Sequence, residues 1–127
     1  MHPKLPNLLP LLVALACIAP ARAELVPVAW DANGRFAHDA TVAPGKFVEV
    51  CEKLAQGTRI AWAYDAAAPL DFNIHYHEGQ QVRFPAKQDA SAAGRGVLKA
   101  AVEQDYCWMW TNRQPGAASL SQKLERP

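Results

Sequence analysis

The sequence has no marked excess of charge of either sign and no apolar run long enough to cross a membrane. Of its 127 residues, 13 are Lys or Arg and 12 are Asp or Glu, and these charges are scattered. A nucleic-acid-binding protein usually shows a basic patch or stripe. The apolar run over residues 8–18 is interrupted by Pro10 and is shorter than the roughly 20 residues of a membrane-spanning helix. We therefore expect no nucleic-acid partner and no transmembrane segment in the mature chain.

The first 23 residues have the pattern of a secretory signal peptide. Lys4 supplies the positive charge, residues 8–18 supply the apolar region, and Ala21-Arg22-Ala23 forms a small-x-small cleavage site. Cleavage after Ala23 leaves a mature chain of residues 24–127, which is long enough for one domain. The sequence therefore predicts a single-domain protein that is periplasmic or secreted.

Cysteine is scarce, and the three cysteines have different predicted roles. Cys17 lies in the N-terminal segment, where lipoprotein processing is the alternative to ordinary cleavage and would tether the same domain to a membrane by lipid. Cys51 and Cys107 remain in the mature chain, and an even pair in an exported protein suggests a disulfide. Closing so long a loop would stabilise the fold by about 4 kcal/mol in the chain-entropy model. The alternative is two buried free thiols.

The mature chain has no helical periodicity of useful length, but it has many short alternating segments. Turn residues separate these segments every eight to twelve positions or so, which is typical of an antiparallel β-sandwich of seven to eight strands. Residues 35–43 are ambiguous between loop and strand, residues 65–69 are predicted to connect two strands, and residues 86–95 are predicted to form an exposed loop. The predicted strands are residues 24–31, 46–54, 58–64, 70–79, 81–84, 96–103, 106–112 and 119–125.

The segment of residues 70–79 alternates most strictly and carries the most obvious chemical groups. Its apolar side chains fall on one face of an extended strand, so that face is predicted to be buried. Asn73, His75 and His77 fall on the opposite face, which is predicted to meet water or a ligand.

Tryptophans occur close together in the strand of residues 106–112. Trp108 and Trp110 share one face of that strand, and Cys107 lies on the other. If Cys107 points inward, both tryptophans join Asn73, His75 and His77 in an aromatic and polar surface, and such surfaces bind proteins or sugars. The alternative is that both tryptophans lie in the core.

Several landmarks between residues 48 and 112 follow one another in a recognisable order. They are Cys51 with Leu54 and Gly57, then Tyr64, the run Leu70-Asp71-Phe72-Asn73-Ile74, Gly79 with Val82, and the closing run Tyr106-Cys107-Trp108-Met109-Trp110-Thr111-Asn112. This order and spacing resemble the GOLD (Golgi dynamics) domain, the luminal β-sandwich of Golgi cargo receptors. The resemblance implies a disulfide between Cys51 and Cys107 and a role as an interaction module. The coiled coil and membrane helix of those receptors have no counterpart in this sequence.

His75 and His77 also allow a metal hypothesis, because two imidazoles on one strand face can reach one ion. Zinc or copper usually takes three or four ligands. His38, Glu78 and Met109 are candidates for the third ligand, although their spacing places none of them.

The sequence contains no pattern that indicates an active site. Ser91, Ser119 and Ser121 lie in loop or tail contexts without a strand–turn–helix elbow. Gly94 and Gly96 lack the following helix of a phosphate-binding loop. We therefore expect that the protein is not an enzyme and needs no cofactor. The sequence instead predicts an exported binding module whose partner is an envelope protein or a small ligand. The alternative is a periplasmic copper- or zinc-binding protein.

Overall fold

The computed structural model describes residues 2–3, 10 and 24–127 of the chain. The predicted signal peptide, its cleavage site and Cys17 lie outside the described residues, apart from the isolated positions 2–3 and 10. In the described part of the chain, no helix is long and apolar enough to cross a membrane.

The described residues form an all-β fold of seven strands, as the alternating sequence predicts. A disulfide between Cys51 and Cys107 joins two of these strands, which confirms the predicted pairing. The strands are β1 (Glu24–Pro27), β2 (Arg35–Val42), β3 (Phe47–Leu54), β4 (Arg59–Glu78), β5 (Gln81–Lys99), β6 (Gln104–Thr111) and β7 (Ala118–Glu125).

The long strand β4 organises the fold. The strand order is β1-β3-β6-β4-β7-β2, and β5 pairs with β4 along its other edge. The first part of β4, Ala61 to Ala66, pairs with β7, whereas its second part, Asp71 to His75, pairs with β6. The sheet therefore curls into two layers that share the β4–β5 hairpin. The β7 layer contains β2, β7 and the part of the hairpin around the first half of β4. The β6 layer contains β1, β3, β6 and the part of the hairpin around the second half of β4.

Large apolar side chains of alternate residues fill the space between the two layers. Trp108 and Trp110 of β6 are almost completely buried there, together with the aromatic rings of β4. The Phe72 ring lies 5.5 Å from the Trp110 ring and 4.8 Å from the Tyr64 ring, measured between centroids. Burying aromatic side chains of this size supplies much of the apolar free energy of a small domain.

Three details of the strand prediction are wrong. Residues 65–69 do not separate two strands but lie inside β4, and residues 86–95 are part of β5 rather than a loop. The backbone stays extended through both segments, although the β4–β5 pairing is interrupted between Asp65 and Leu70 and shifts register again between Leu70 and Phe72 and between Ile74 and Tyr76. The edge strand β1 pairs with β3 in parallel, although the sequence pattern predicts an antiparallel fold.

Candidate binding surface

The polar residues of the second part of β4 lie on the outer face of the β6 layer. Asn73 is half-buried, His75 is only 5% exposed, and His77 is exposed. Because Phe72 and Ile74 alternate with them and face the core, the strand period places all three on the outside. The strand period therefore predicts correctly which side chains share this face, but His75 is buried within it and not open to water.

The His75 imidazole is held between two oxygen atoms. Its Nδ1 lies 2.7 Å from Oδ1 of Asn73, and its Nε2 lies 2.9 Å from Oε1 of Glu49. Glu49 belongs to β3, so its carboxylate reaches the imidazole across the intervening strand β6. Each ring nitrogen therefore has an oxygen atom within hydrogen-bond distance. This cluster therefore fixes the orientation of the ring in the sheet surface.

Glu49 is the member of this cluster that sequence reasoning does not identify. The available signal is its position in β3, where a carboxylate shares a strand face with Phe47 and Cys51. A charged residue between apolar ones indicates that this face is not a core face, but it does not identify the partner.

The disulfide lies in the same outer surface. Cys51 and Cys107 are direct partners in the β3–β6 ladder, with their Cα atoms 4.1 Å apart, and Cys107 is in turn the partner of His75. Glu49, Cys51 and Cys107 are the one group of three potential metal ligands found close together among the described residues. Because the two sulfur atoms are bonded to each other, they do not serve as thiolate ligands.

The tryptophans do not belong to this surface, and the predicted combination of Trp108 and Trp110 with the histidines is wrong. Trp108 is the ladder partner of Ile74, and Trp110 is the partner of Phe72. Directly opposed residues share a sheet face, so both tryptophans face the core while His75 faces outward.

Exposed apolar side chains of β5 take the place of the tryptophans beside the histidines. Phe84 is 50% exposed and its ring centroid lies 6.2 Å from that of His75. Val82 is also exposed and is the ladder partner of His77. Nζ of Lys87 lies 5.5 Å from the Phe84 ring centroid, within cation–π range. We call Glu49, Asn73, His75, His77, Val82 and Phe84 the histidine surface.

The structure brings the two histidine rings together, and within the described residues no third His, Cys, Asp or Glu forms a close group with both of them. The ring centroids of His75 and His77 are 5.5 Å apart. His38 lies on the inward face of β2 and is half-buried. Its Nε2 is 3.7 Å from a carboxylate oxygen of Glu24. Met109 lies on the outer face as the partner of Glu49 and Asn73. Binding of copper or zinc stays a prediction.

Comparisons with known proteins identify the fold but not a family. No protein-family model matches the chain, and no curated protein is significantly similar to it in sequence. Among solved structures, the chain is similar to PliG of Aeromonas hydrophila, a periplasmic lysozyme inhibitor of g-type lysozyme. The TM-score is 0.66 at 12% identity, over 84% of this chain and 98% of that one.

Two further solved structures share this fold. The pre-peptidase C-terminal domain of collagenase from Bacillus anthracis has a TM-score of 0.59 at 11% identity, over 84% of this chain and 97% of that one. PliG of Salmonella Typhimurium, also a periplasmic inhibitor of g-type lysozyme, has a TM-score of 0.58 at 10% identity, over 84% of this chain and 100% of that one. At these identities the similarity establishes the fold alone. The resemblance to the GOLD domain stays a prediction.

Proposed function

We propose that this chain is an exported, non-catalytic protein-binding module whose contact surface is the histidine surface. One observation carries the proposal: the half-exposed Phe84 ring lies beside the fixed imidazole of His75 on the outer face of the sheet. Aromatic residues that expose an apolar ring next to polar groups are typical anchors of protein interfaces. His77 and Lys87 supply polar contacts at the edge of that anchor.

Two features support an exported location. The pattern of residues 1–23 is that of a signal peptide. The bond between Cys51 and Cys107 is of the kind that persists in the periplasm or outside the cell and is rare in the cytosol.

We propose lysozymes as the first class of partner to test. Two solved structures with this fold are described as periplasmic inhibitors of g-type lysozyme, and the chain covers nearly all of each. This support is an analogy of fold, and a shared fold does not fix a shared partner. The analogy nevertheless identifies one class of partner protein that can be purified and tested directly.

The test is a binding titration of the mature chain against a purified g-type lysozyme, with inhibition of cell-wall hydrolysis measured in parallel. We expect saturable binding that Phe84→Ala weakens at least about tenfold, because truncating a central aromatic anchor costs about 2 kcal/mol. Val97→Ala is the matched control, since Val97 is an exposed apolar residue of the same strand in the β7 layer. It should bind as the unchanged chain does.

Two results would contradict the proposal in different ways. Absence of binding to g-type lysozyme removes that class of partner. Binding that Val97→Ala weakens while Phe84→Ala does not would mean that a different face makes the contact.

A further inference from the structure

The outer face of the β7 layer contains a groove on the side of the molecule away from the histidine surface. It encloses about 860 Å³, which is within the range of small-molecule binding sites. Its walls and floor come from β2, β7, the first part of β4 and the second part of β5.

Small side chains on the middle strand form the floor of the groove. Ala61 and Ala63 of β4 point outward and are exposed, and Ala37 of β2 adds a third methyl group. The ladder partner of Ala61 on β5 is Val97, which is 61% exposed. A central strand that carries methyl groups between neighbours with longer side chains leaves a depression with an apolar floor.

Two cations stand on opposite sides of Ala63, and Lys123 lies between Ala63 and Ala37. Ala63 is paired with Arg95 of β5 on one side and with Lys123 of β7 on the other. Strands two positions apart in a sheet are separated by about 10 Å, so two long side chains that start there can close on one group above Ala63. This row of cation, methyl group and cation forms a notch for an anion.

Both cations are available for a ligand. Arg35, at the edge of the groove, is already 3.5 Å from a carboxylate oxygen of Glu125. Among the described residues, no carboxylate oxygen lies within 4.0 Å of the charged nitrogens of Arg95 or Lys123. The other acid of the groove, Asp31, accepts hydrogen bonds from the backbone N–H groups of Asn33 and Arg35.

We propose that this groove binds an apolar molecule that carries a single anionic group. The anion lies between Arg95 and Lys123, where a carboxylate accepts charge-assisted hydrogen bonds from both. The apolar part covers Ala61 and Val97, which removes their exposed methyl groups from water. This site does not depend on the proposed protein-binding function, because it uses different residues in the other layer.

The first test is a titration of the full mature chain with sodium decanoate below its micelle concentration, followed by the backbone amide chemical shifts. We expect saturable shifts at Ala61, Ala63 and Val97, with a dissociation constant on the order of 1 mM for a ligand of that size. Decyltrimethylammonium, which has the same chain and the opposite charge, should not produce these shifts at the same concentration.

Two variants separate the notch from general adsorption of an amphiphile. Arg95→Gln combined with Lys123→Gln should weaken decanoate binding at least about tenfold, since both charged partners of the anion are removed. Ala63→Leu should abolish it by filling the floor, and an exposed strand position accepts leucine without unfolding. The control is Lys53→Gln combined with Arg83→Gln, which removes the same charge from exposed positions outside the groove.

Three outcomes would overturn the proposal. Equal binding of decyltrimethylammonium means that the cations do not select the ligand. Equal weakening in the control pair means that net charge, rather than the notch, governs binding. Shifts at the same amides with polyglutamate but not with decanoate reassign the groove to an acidic protein segment.

Discussion

Asp71 fixes an irregular part of the β4–β5 hairpin. Its carboxylate accepts a hydrogen bond from the backbone N–H of Ala90 at 2.9 Å, and it also pairs with the Arg113 guanidinium. Ala90 has a φ of +50°, in the left-handed region that side chains other than glycine disfavour. The Ala90 hydrogen bond, followed by Arg113, lowers the pKa of the Asp71 carboxyl below its ordinary value.

The lowered pKa of Asp71 predicts a specific dependence of stability on pH. A carboxyl whose folded pKa is lowered stabilises the fold above its unfolded pKa of about 3.9, and this contribution disappears as the pH falls through the folded value. Asp71→Asn should therefore reduce the free energy of unfolding by about 1 kcal/mol at pH 7. Urea unfolding at several pH values should show the two proteins converging as the pH falls below the ordinary aspartate range. A gap that stays constant from pH 7 to pH 2 would contradict this account.

Gln122 is a polar residue at a core position. It is 1% exposed, and neither its Oε1 nor its Nε2 has a hydrogen-bond partner among the described residues. Its ladder partners are His38 and Tyr64, which face the core with it. Burial raises the pKa of the Tyr64 hydroxyl above its ordinary value.

Replacing Gln122 with an apolar side chain of similar length should stabilise the fold. A buried amide without a partner costs about 1–3 kcal/mol, and Gln122→Met removes that cost while keeping the volume. We expect a higher urea midpoint with an unchanged m-value, whereas Gln80→Met in an exposed turn should stay within about 0.5 kcal/mol. A lower midpoint for Gln122→Met would show that the amide is satisfied in solution.

At the scale of strands, two glycines let β5 pack against the aromatic residues of β4. Gly94 and Gly96 are the ladder partners of Tyr64 and Trp62. A Cβ atom on Gly94 would lie 2.8 Å from Cε1 of Tyr64, and one on Gly96 would lie 2.8 Å from Cζ2 of Trp62. The rings therefore lie directly over the glycine backbone. In the sequence, Gly94 belongs to the segment that predicts an exposed loop, and Gly96 begins the next predicted strand.

The packing against these glycines predicts a ranking of alanine variants. Gly94→Ala should destabilise the fold by about 1–3 kcal/mol, because the buried Tyr64 ring has no room to move. Gly96→Ala should cost less, since Trp62 is only half-buried and its ring can shift. The control is Gly116→Ala, where nothing lies within 4 Å of the new methyl group; it should be neutral or slightly stabilising. Thermal unfolding of the three variants gives the order, and equal midpoints would contradict it.

The whole molecule depends on contacts between distant parts of the chain. The disulfide joins Cys51 of β3 to Cys107 of β6, 56 residues apart in sequence, within the β6 layer. The β4–β5 hairpin connects that layer to the β7 layer. Strands that are distant in the sequence are therefore held in register by one covalent bond and by the long hairpin.

Removing the disulfide should destabilise the whole domain rather than one strand. Cys51→Ala combined with Cys107→Ala should lower the free energy of unfolding by about 2–5 kcal/mol, mainly because the unfolded chain gains conformational freedom. Urea unfolding of the two proteins measures the difference. Addition of a reductant should shift the unchanged protein to the same midpoint and leave the variant unaffected. An unchanged midpoint in the variant would contradict a stabilising role for the bond.

The sequence by itself determines the all-β class, the positions of most strands, the cysteine pair and the facing of Asn73, His75 and His77. Each of these follows from local information, because the two-residue period of a strand fixes which of its side chains share a face. The continuity of β4 and β5 is less accessible, since both strands stay extended through segments whose side chains resemble those of loops.

Only the tertiary structure decides how the strand faces combine. The period of β6 groups Trp108 with Trp110, but the pairing of Trp108 with Ile74 places both tryptophans in the core. Pairing across several strands likewise brings Glu49 to His75, and Arg95 and Lys123 to the two sides of Ala63. Register between strands is set by hydrogen bonds and packing among residues far apart in the chain, and no local pattern specifies it.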